Sequence, residues 1–228
     1  MFDLGPACRR PAVRVVAFTS RKGGSGKSTL CAHLSVYADK PDAPALLIDT
    51  DQQGSLALWH ELRQAETPVL VKCEARDLPD TIEAARKDGV GWCFVDTPPH
   101  NTADIAAAMR VADLAIIPFR PAVFDIAAVA ATLEMARAIN KPTLPVINSA
   151  PPRRGVQTAH VVTESRDALF AMNATPWAGQ ITTRAAFAHA LASGQAVGEF
   201  EPGSAAASEV SELWQETRRA LGIKGSKK

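Results

Sequence analysis

The chain has 228 residues, enough for one large α/β domain or two small ones, with a core that needs no staples. Hydrophobic residues make up 46% and charged residues 21%, an ordinary globular composition. Lys+Arg 25 against Asp+Glu 24 leaves a formal charge of +1, which excludes a blanket polycation; any nucleic-acid contact must come from a local patch.

In chain order, residues 1–12 carry Gly5, Pro6 and Pro11 with Arg9 and Arg10, and read as an irregular lead-in. "VRVVAFTS" (13–20) is a β-branched run that stops at a glycine-rich loop, and a helix starts near Lys27. Strand, glycine loop and helix open a βαβ unit. Strands then follow at 45–49, 69–75, 91–99, 113–119 and 143–150, with a short one near "WAGQI" (177–181). Helices are expected at 54–66, 78–88, 102–112, 125–139, 156–172, 184–191 and 205–221, the last with Ser204 as N-cap. Near-continuous apolar strands alternating with helices predict one α/β domain over 13–221, a mostly parallel sheet covered on both faces. Residues 222–228 form a basic tail. Ligands of such a sheet sit at the carboxyl ends of its strands.

The four cysteines, Cys8, Cys31, Cys73 and Cys93, form no Cys-x-x-Cys pair. Cys31 and Cys93 lie in apolar runs and read as buried reduced thiols of a cytosolic protein. The start "MFDLGPACRRP" has no apolar core of a signal peptide, and no apolar stretch is long enough to span a bilayer.

Chemistry concentrates in "RKGGSGKST" (21–29). It fits G-x-x-x-x-G-K-[ST] except at the first position, where Arg21 stands. Gly23, Gly24 and Gly26 let the backbone, through Ser25, curl several N–H groups toward one anion. Lys27 reaches the β- and γ-phosphates, Ser28 offers its hydroxyl to Mg²⁺, and Thr29 is placed to donate to the α-phosphate. The helix N-terminus adds its positive end. In "LLIDTDQQGS" (46–55), Asp49 and Asp51 stand two residues apart at a strand end. "CFVDTPP" (93–99) brings Asp96 to another strand tip, where a carboxylate can hold Mg²⁺ through water.

Lys22 is a second lysine in the loop. "KGGSGKS" resembles the deviant phosphate-loop motif of the ParA/MinD family of ATPases, and the likeness extends over most of 13–221. The resemblance implies an ATP–Mg²⁺ enzyme that closes as a homodimer around nucleotide. Lys22 then serves the ATP of the other subunit and Lys27 its own. It implies that Asp51 positions the attacking water and Asp49 supports the Mg²⁺ and phosphate-loop region. Gln52 departs from the family's D-x-D-P-Q-G. "DLAIIPFRPAVFDIAA" (113–128) resembles the family's strand, loop and helix at the dimer interface, and "ITTRAAFAHALASGQAV" (181–197) its C-terminal region. Asn148 falls where the adenine-side loop begins; it either pairs with the adenine edge or closes its strand.

Within that family two readings compete. A partition ATPase binds DNA without sequence preference, with Arg153, Arg154, Arg184, Arg218 and Arg219 as candidate phosphate contacts or solvated charges. It is cytoplasmic and nucleoid-associated, and answers to an activating adaptor of the ParB kind. A MinD-like membrane-cycling ATPase needs a free amphipathic last helix. Val210, Leu213, Trp214, Thr217 and Leu221 do share one face, but Glu209, Glu212 and Glu216 oppose anionic lipid, and the helix is expected to dock on the core without membrane insertion. A third class, a small-molecule kinase or metal-cluster carrier, lacks a visible substrate pocket or paired cysteines.

Overall fold

The structure, a computed structural model, describes residues 13–152 and 158–223. Strand β1 (Arg14–Phe18) leads through the glycine loop into helix α1 (Lys27–Ala38). Next come β2 (Ala45–Asp49), α2 (Ser55–Leu62), β3 (Val69–Lys72) and α3 (Leu78–Lys87). β4 (Trp92–Asp96), α4 (Thr102–Val111), β5 (Leu114–Phe119), α5 (Val123–Ala138) and β6 (Thr143–Ile147) continue the alternation. The chain ends in helices α6 (His160–Ala171), α7 (Ala185–Ala192), α8 (Val197–Phe200) and α9 (Ala205–Ala220).

The six strands form one sheet in the order β3-β2-β4-β1-β5-β6, and every pairing is parallel. Strands β1, β2, β4 and β5 are buried along nearly their whole length, as a sheet covered on both faces requires. One face packs Phe18, Leu47 and Phe94 against Leu30 and Leu34 of α1 and Leu213 of α9. The other packs Val15, Ile48 and Val95 against Leu78 and Ile82 of α3 and Ala108 of α4. In register, Phe18 lies beside Asp96 and Asp96 beside Asp49, so the loops after β1, β2 and β4 open at the same end. That is the end where crossover connections leave room for a ligand.

Two expectations change, and one short helix is added. Helix α2 stops at Leu62 because Arg63 turns extended; its guanidinium bonds both oxygens of Glu199, each at 2.8 Å, and the carbonyl of Gly194. The 177–181 stretch is no strand. The Trp177 ring folds back over Gly179, and regular pairing there shrinks to one bridge, Ala150 with Thr182. Helix α8 has only four residues and no helical period for the sequence to show.

Helix α9 is docked as expected. The Ser204 hydroxyl caps it by accepting from the Ala207 N–H at 3.1 Å, and Val210, Leu213 and Thr217 are buried. Trp214 meets Trp92 edge to face with ring centroids 4.7 Å apart. The apolar face that lipid contact needs is therefore already against the sheet. Ile223 also packs on this core, so the packed chain runs past residue 221. No helix among the described residues is long and apolar enough to cross a membrane.

Candidate nucleotide site

The glycine loop is held open by two left-handed residues, Gly24 (φ 68°) and Gly26 (φ 97°). Arg21 needs no left-handed backbone, so losing the motif's first glycine carries no conformational cost. Gly26 is also the N-cap of α1, and no side chain caps the first turn. The N–H groups of Lys27, Ser28 and Thr29 are thus the orphan donors that an anion satisfies.

Lys27 is only 6% exposed and makes no ion pair among the described residues. Burial pulls its ammonium below the ordinary lysine range, against the opposing charges of Asp96 and Asp51. Asp96 is fully buried, and neither of its carboxylate oxygens has a hydrogen-bond partner among the described residues. Burial pushes it up to about 7, while the Ser28 hydroxyl and the Lys27 charge pull the other way. The Ser28 hydroxyl lies beside the carboxylate but outside hydrogen-bond geometry. A buried carboxylate with two unpartnered oxygens beside a serine hydroxyl fits a hydrated divalent cation. Among the described residues no cluster of three or more His, Cys, Asp or Glu exists, so the ion would depend on phosphate and water as Mg²⁺ does.

Asp49 is held by backbone N–H groups at the end of β2. Its carboxylate accepts the N–H of Asp51 at 3.0 Å and that of Ala57 at 3.2 Å, tying strand β2 to the start of α2. It holds the 50–57 loop. Asp51 is half-buried and accepts the Gln53 N–H at 3.0 Å. This Asx turn closes the loop with Gly54 (φ 67°), and so replaces the proline that Gln52 lacks. Asp51 faces a cleft of about 520 Å³ shared with Cys73, Glu74, Arg76, Pro99, Asn101 and Asp104.

Asn148 is tied to the glycine loop. It is buried, and its Nδ2 donates to the Ser25 carbonyl at 2.8 Å, committing the amide nitrogen to the glycine loop. Lys22 is half-buried; its N–H donates to Ser20 Oγ at 3.3 Å, and its ammonium has no partner among the described residues. Gly23 lies beside Pro99 and His100 of the loop after β4.

The arginines separate. Arg153 and Arg154 lie outside the described residues. Arg184 is paired with Glu209 at 2.8 Å, and the same carboxylate accepts the Thr182 N–H at 2.9 Å. Arg219 pairs with Glu216 at 2.5 Å, while Arg218 makes no ion pair among the described residues. Cys31 and Cys93 are buried free thiols, and burial pushes Cys93 up to about 12. Sequence reasoning missed Thr50, whose hydroxyl donates to the Asp96 carbonyl at 2.6 Å, and Asp125, which accepts from the Arg120 Nε at 3.2 Å at the start of α5. Both lie within the stretches 46–55 and 113–128; the Thr50 partner, 46 residues away, is set by the folded register, whereas Asp125 meets Arg120 five residues back.

Sheet order, glycine loop and strand-tip carboxylates define a P-loop NTPase-like α/β domain. The chain has the fold of the septum site-determining protein MinD from Pyrococcus horikoshii OT3 complexed with Mg-ADP: TM-score 0.74, 18% identity, 94% of this chain and 100% of that one. A family model described as the CobQ/CobB/MinD/ParA nucleotide binding domain matches residues 16–197, and the chain belongs to that family. The Maintenance of carboxysome distribution protein A of Gloeobacter kilaueensis is 34% identical over 135 residues, 58% of this chain and 60% of the relative. The chromosome-partitioning ATPase Soj of Thermus thermophilus is 29% identical over 59% of this chain and 67% of the relative. The chain thus spans about three fifths to two thirds of the length of these relatives.

Proposed function

We propose that this chain is a partition or positioning ATPase whose ATP-bound homodimer holds non-specific DNA and moves a cargo, with slow hydrolysis raised by an activating adaptor of the ParB kind. The names of the relatives support the class: one maintains carboxysome distribution and another partitions chromosomes. The observation that carries the reading is the pair of lysines. Lys27 is buried in its own loop, whereas the Lys22 ammonium has no partner among the described residues. A cation supplied across a dimer makes nucleotide state and association one equilibrium.

Hydrolysis of this kind needs positioning and charge stabilisation rather than covalent catalysis. The uncapped N–H groups of residues 27–29 and the Lys27 ammonium hold the phosphates. Asp51, at the mouth of its cleft, orients the attacking water. Ser28 and Asp96 would hold Mg²⁺, which neutralises phosphate charge when bound. Exposed Val123 (78%) and Phe124 (81%) at the start of α5 support a subunit contact at the same end of the sheet. Arg218, and Arg153 and Arg154, are the arginines proposed for DNA; Arg184 and Arg219 enter with carboxylates beside them.

The test is binding to non-specific DNA and to anionic vesicles, each with ADP and with a non-hydrolysable ATP analogue. Salt-sensitive DNA binding with the ATP analogue alone is expected. Vesicle binding without DNA binding would replace this reading with the membrane-cycling one.

A further inference from the structure

The geometry points to Asn148 as a positioning residue of the phosphate loop, one that sets where the Gly26 N–H points. The inference rests on the loop being the nucleotide site. Asn148 Nδ2 donates to the Ser25 carbonyl at 2.8 Å across 123 residues of sequence. In a trans peptide the carbonyl and the following N–H point in opposite directions. Holding the Ser25 carbonyl against Asn148 therefore turns the Gly26 N–H to the other side, into the loop where the uncapped α1 N–H groups also converge.

The clasp needs close approach. A Cβ built on Gly26 would lie 2.0 Å from Asn148 Nδ2, so residue 26 must be glycine for this approach as well as for its φ of 97°. The clasp is anchored on the sheet rather than on a loop. Asn148 follows β6 directly, is 6% exposed, and its own N–H donates to the Phe119 carbonyl at 2.7 Å. Two residues on, Ala150 exchanges bonds with the 181–183 stretch: its N–H donates to Ile181 and its carbonyl accepts from Thr183, both at 2.9 Å. A rigid support of this kind preorganises the donors before ligand arrives. Without Asn148, the buried Ser25 carbonyl loses its partner and can rotate toward the phosphates, where an acceptor facing an anion opposes binding.

A clasp and a base reader make opposite predictions. Calorimetric affinities would be measured for ADP, IDP (which lacks the 6-amino group of adenine) and pyrophosphate, each with Mg²⁺. The clasp predicts that Asn148→Ala weakens all three by one common factor, about tenfold. Asn148→Asp keeps the shape and replaces the donor with a carboxylate, and should weaken all three at least as much. Thermal unfolding without ligand shows that each variant is folded, and the isosteric aspartate serves if the alanine variant is not. Loss confined to ADP, with IDP and pyrophosphate unchanged, would overturn the clasp in favour of base reading. A lower unfolding midpoint with all three affinities intact would overturn it as well. Wild-type affinity for ADP tests the nucleotide reading separately: a clasp defect needs a wild type that binds.

Discussion

Two regions of this molecule treat charge in opposite ways. Around the glycine loop, charges are buried and, among the described residues, left without partners: Lys27 has no ion pair, and both Asp96 oxygens are orphaned. Around α7 to α9, most cations are matched: Arg63 with Glu199, Arg184 with Glu209, and Arg219 with Glu216. Burying an unpaired charge is costly, so a fold keeps one only where a ligand completes it. The matched region is joinery. The arginines there hold helices and loops together, which takes Arg184 and Arg219 out of the five proposed for DNA.

Asp96→Asn is the strongest way to break this contrast. It removes a buried carboxylate without partners, so the ligand-free protein should unfold at a higher temperature. Mg²⁺-dependent hydrolysis should fall about 10²-fold or more, since the metal-side charge is gone. Parallel melting curves and phosphate-release assays check both. A lower midpoint would show that Asp96 is satisfied in the ligand-free protein after all.

His33 sharpens the comparison where α1 meets α7 and α8. Its Nδ1 accepts the Val197 N–H at 3.1 Å, its ring meets Phe187 edge-on, and its Nε2 has no partner. Burial pushes it down to about 4, opposed by the charge of Glu199. Between pH 6.5 and 4 the unfolded chain therefore takes up a proton that the folded chain refuses. Stability is full above pH 6.5 and falls as pH drops toward 4, by about 3 kcal/mol. Urea titrations at about pH 7.5 and about pH 4.5, on either side of most of that change, measure it. His33→Asn, which keeps an acceptor, should flatten the slope.

Arg184→Ala tests the matched region. It leaves Glu209 with only the Thr182 N–H, and should cost about 1–3 kcal/mol in urea unfolding. Arg219→Ala, an exposed pair, should cost a few tenths of a kcal/mol. DNA affinity should respond in the reverse order to stability: Arg218→Ala should lower the salt slope by about one, the share of a single neutralised phosphate. Arg184→Ala should leave that slope alone.

What could be read from the sequence follows the same division. The glycine loop, Lys27, Ser28 and Asp96 lie in local motifs whose strand and helix context is set by nearby residues, so their places could be stated beforehand. So could the strands, most of whose buried runs announce themselves; β3 is the exposed exception. Asp49 and Asn148 could not be placed, because their roles depend on where their side chains turn. Asp49 reaches eight residues on to Ala57, and Asn148 reaches back 123 residues to Ser25. The Arg184–Glu209 and Arg63–Glu199 pairs depend on how α7, α8 and α9 settle, and no local period encodes that. The 177–181 segment carries strand-like residues, but the packing of Trp177 on Gly179 overrides them.

The central claim is that Lys22 lacks a partner in one chain because its partner belongs to the dimer. Sedimentation velocity of the wild type and Lys22→Ala, with ADP and with a non-hydrolysable ATP analogue, tests it most directly. The 24.2 kDa wild-type chain should be monomeric with ADP and dimeric with the ATP analogue. Lys22→Ala should keep its ADP affinity and stay monomeric in both. A Lys22→Ala protein that dimerises as the wild type does would contradict the claim.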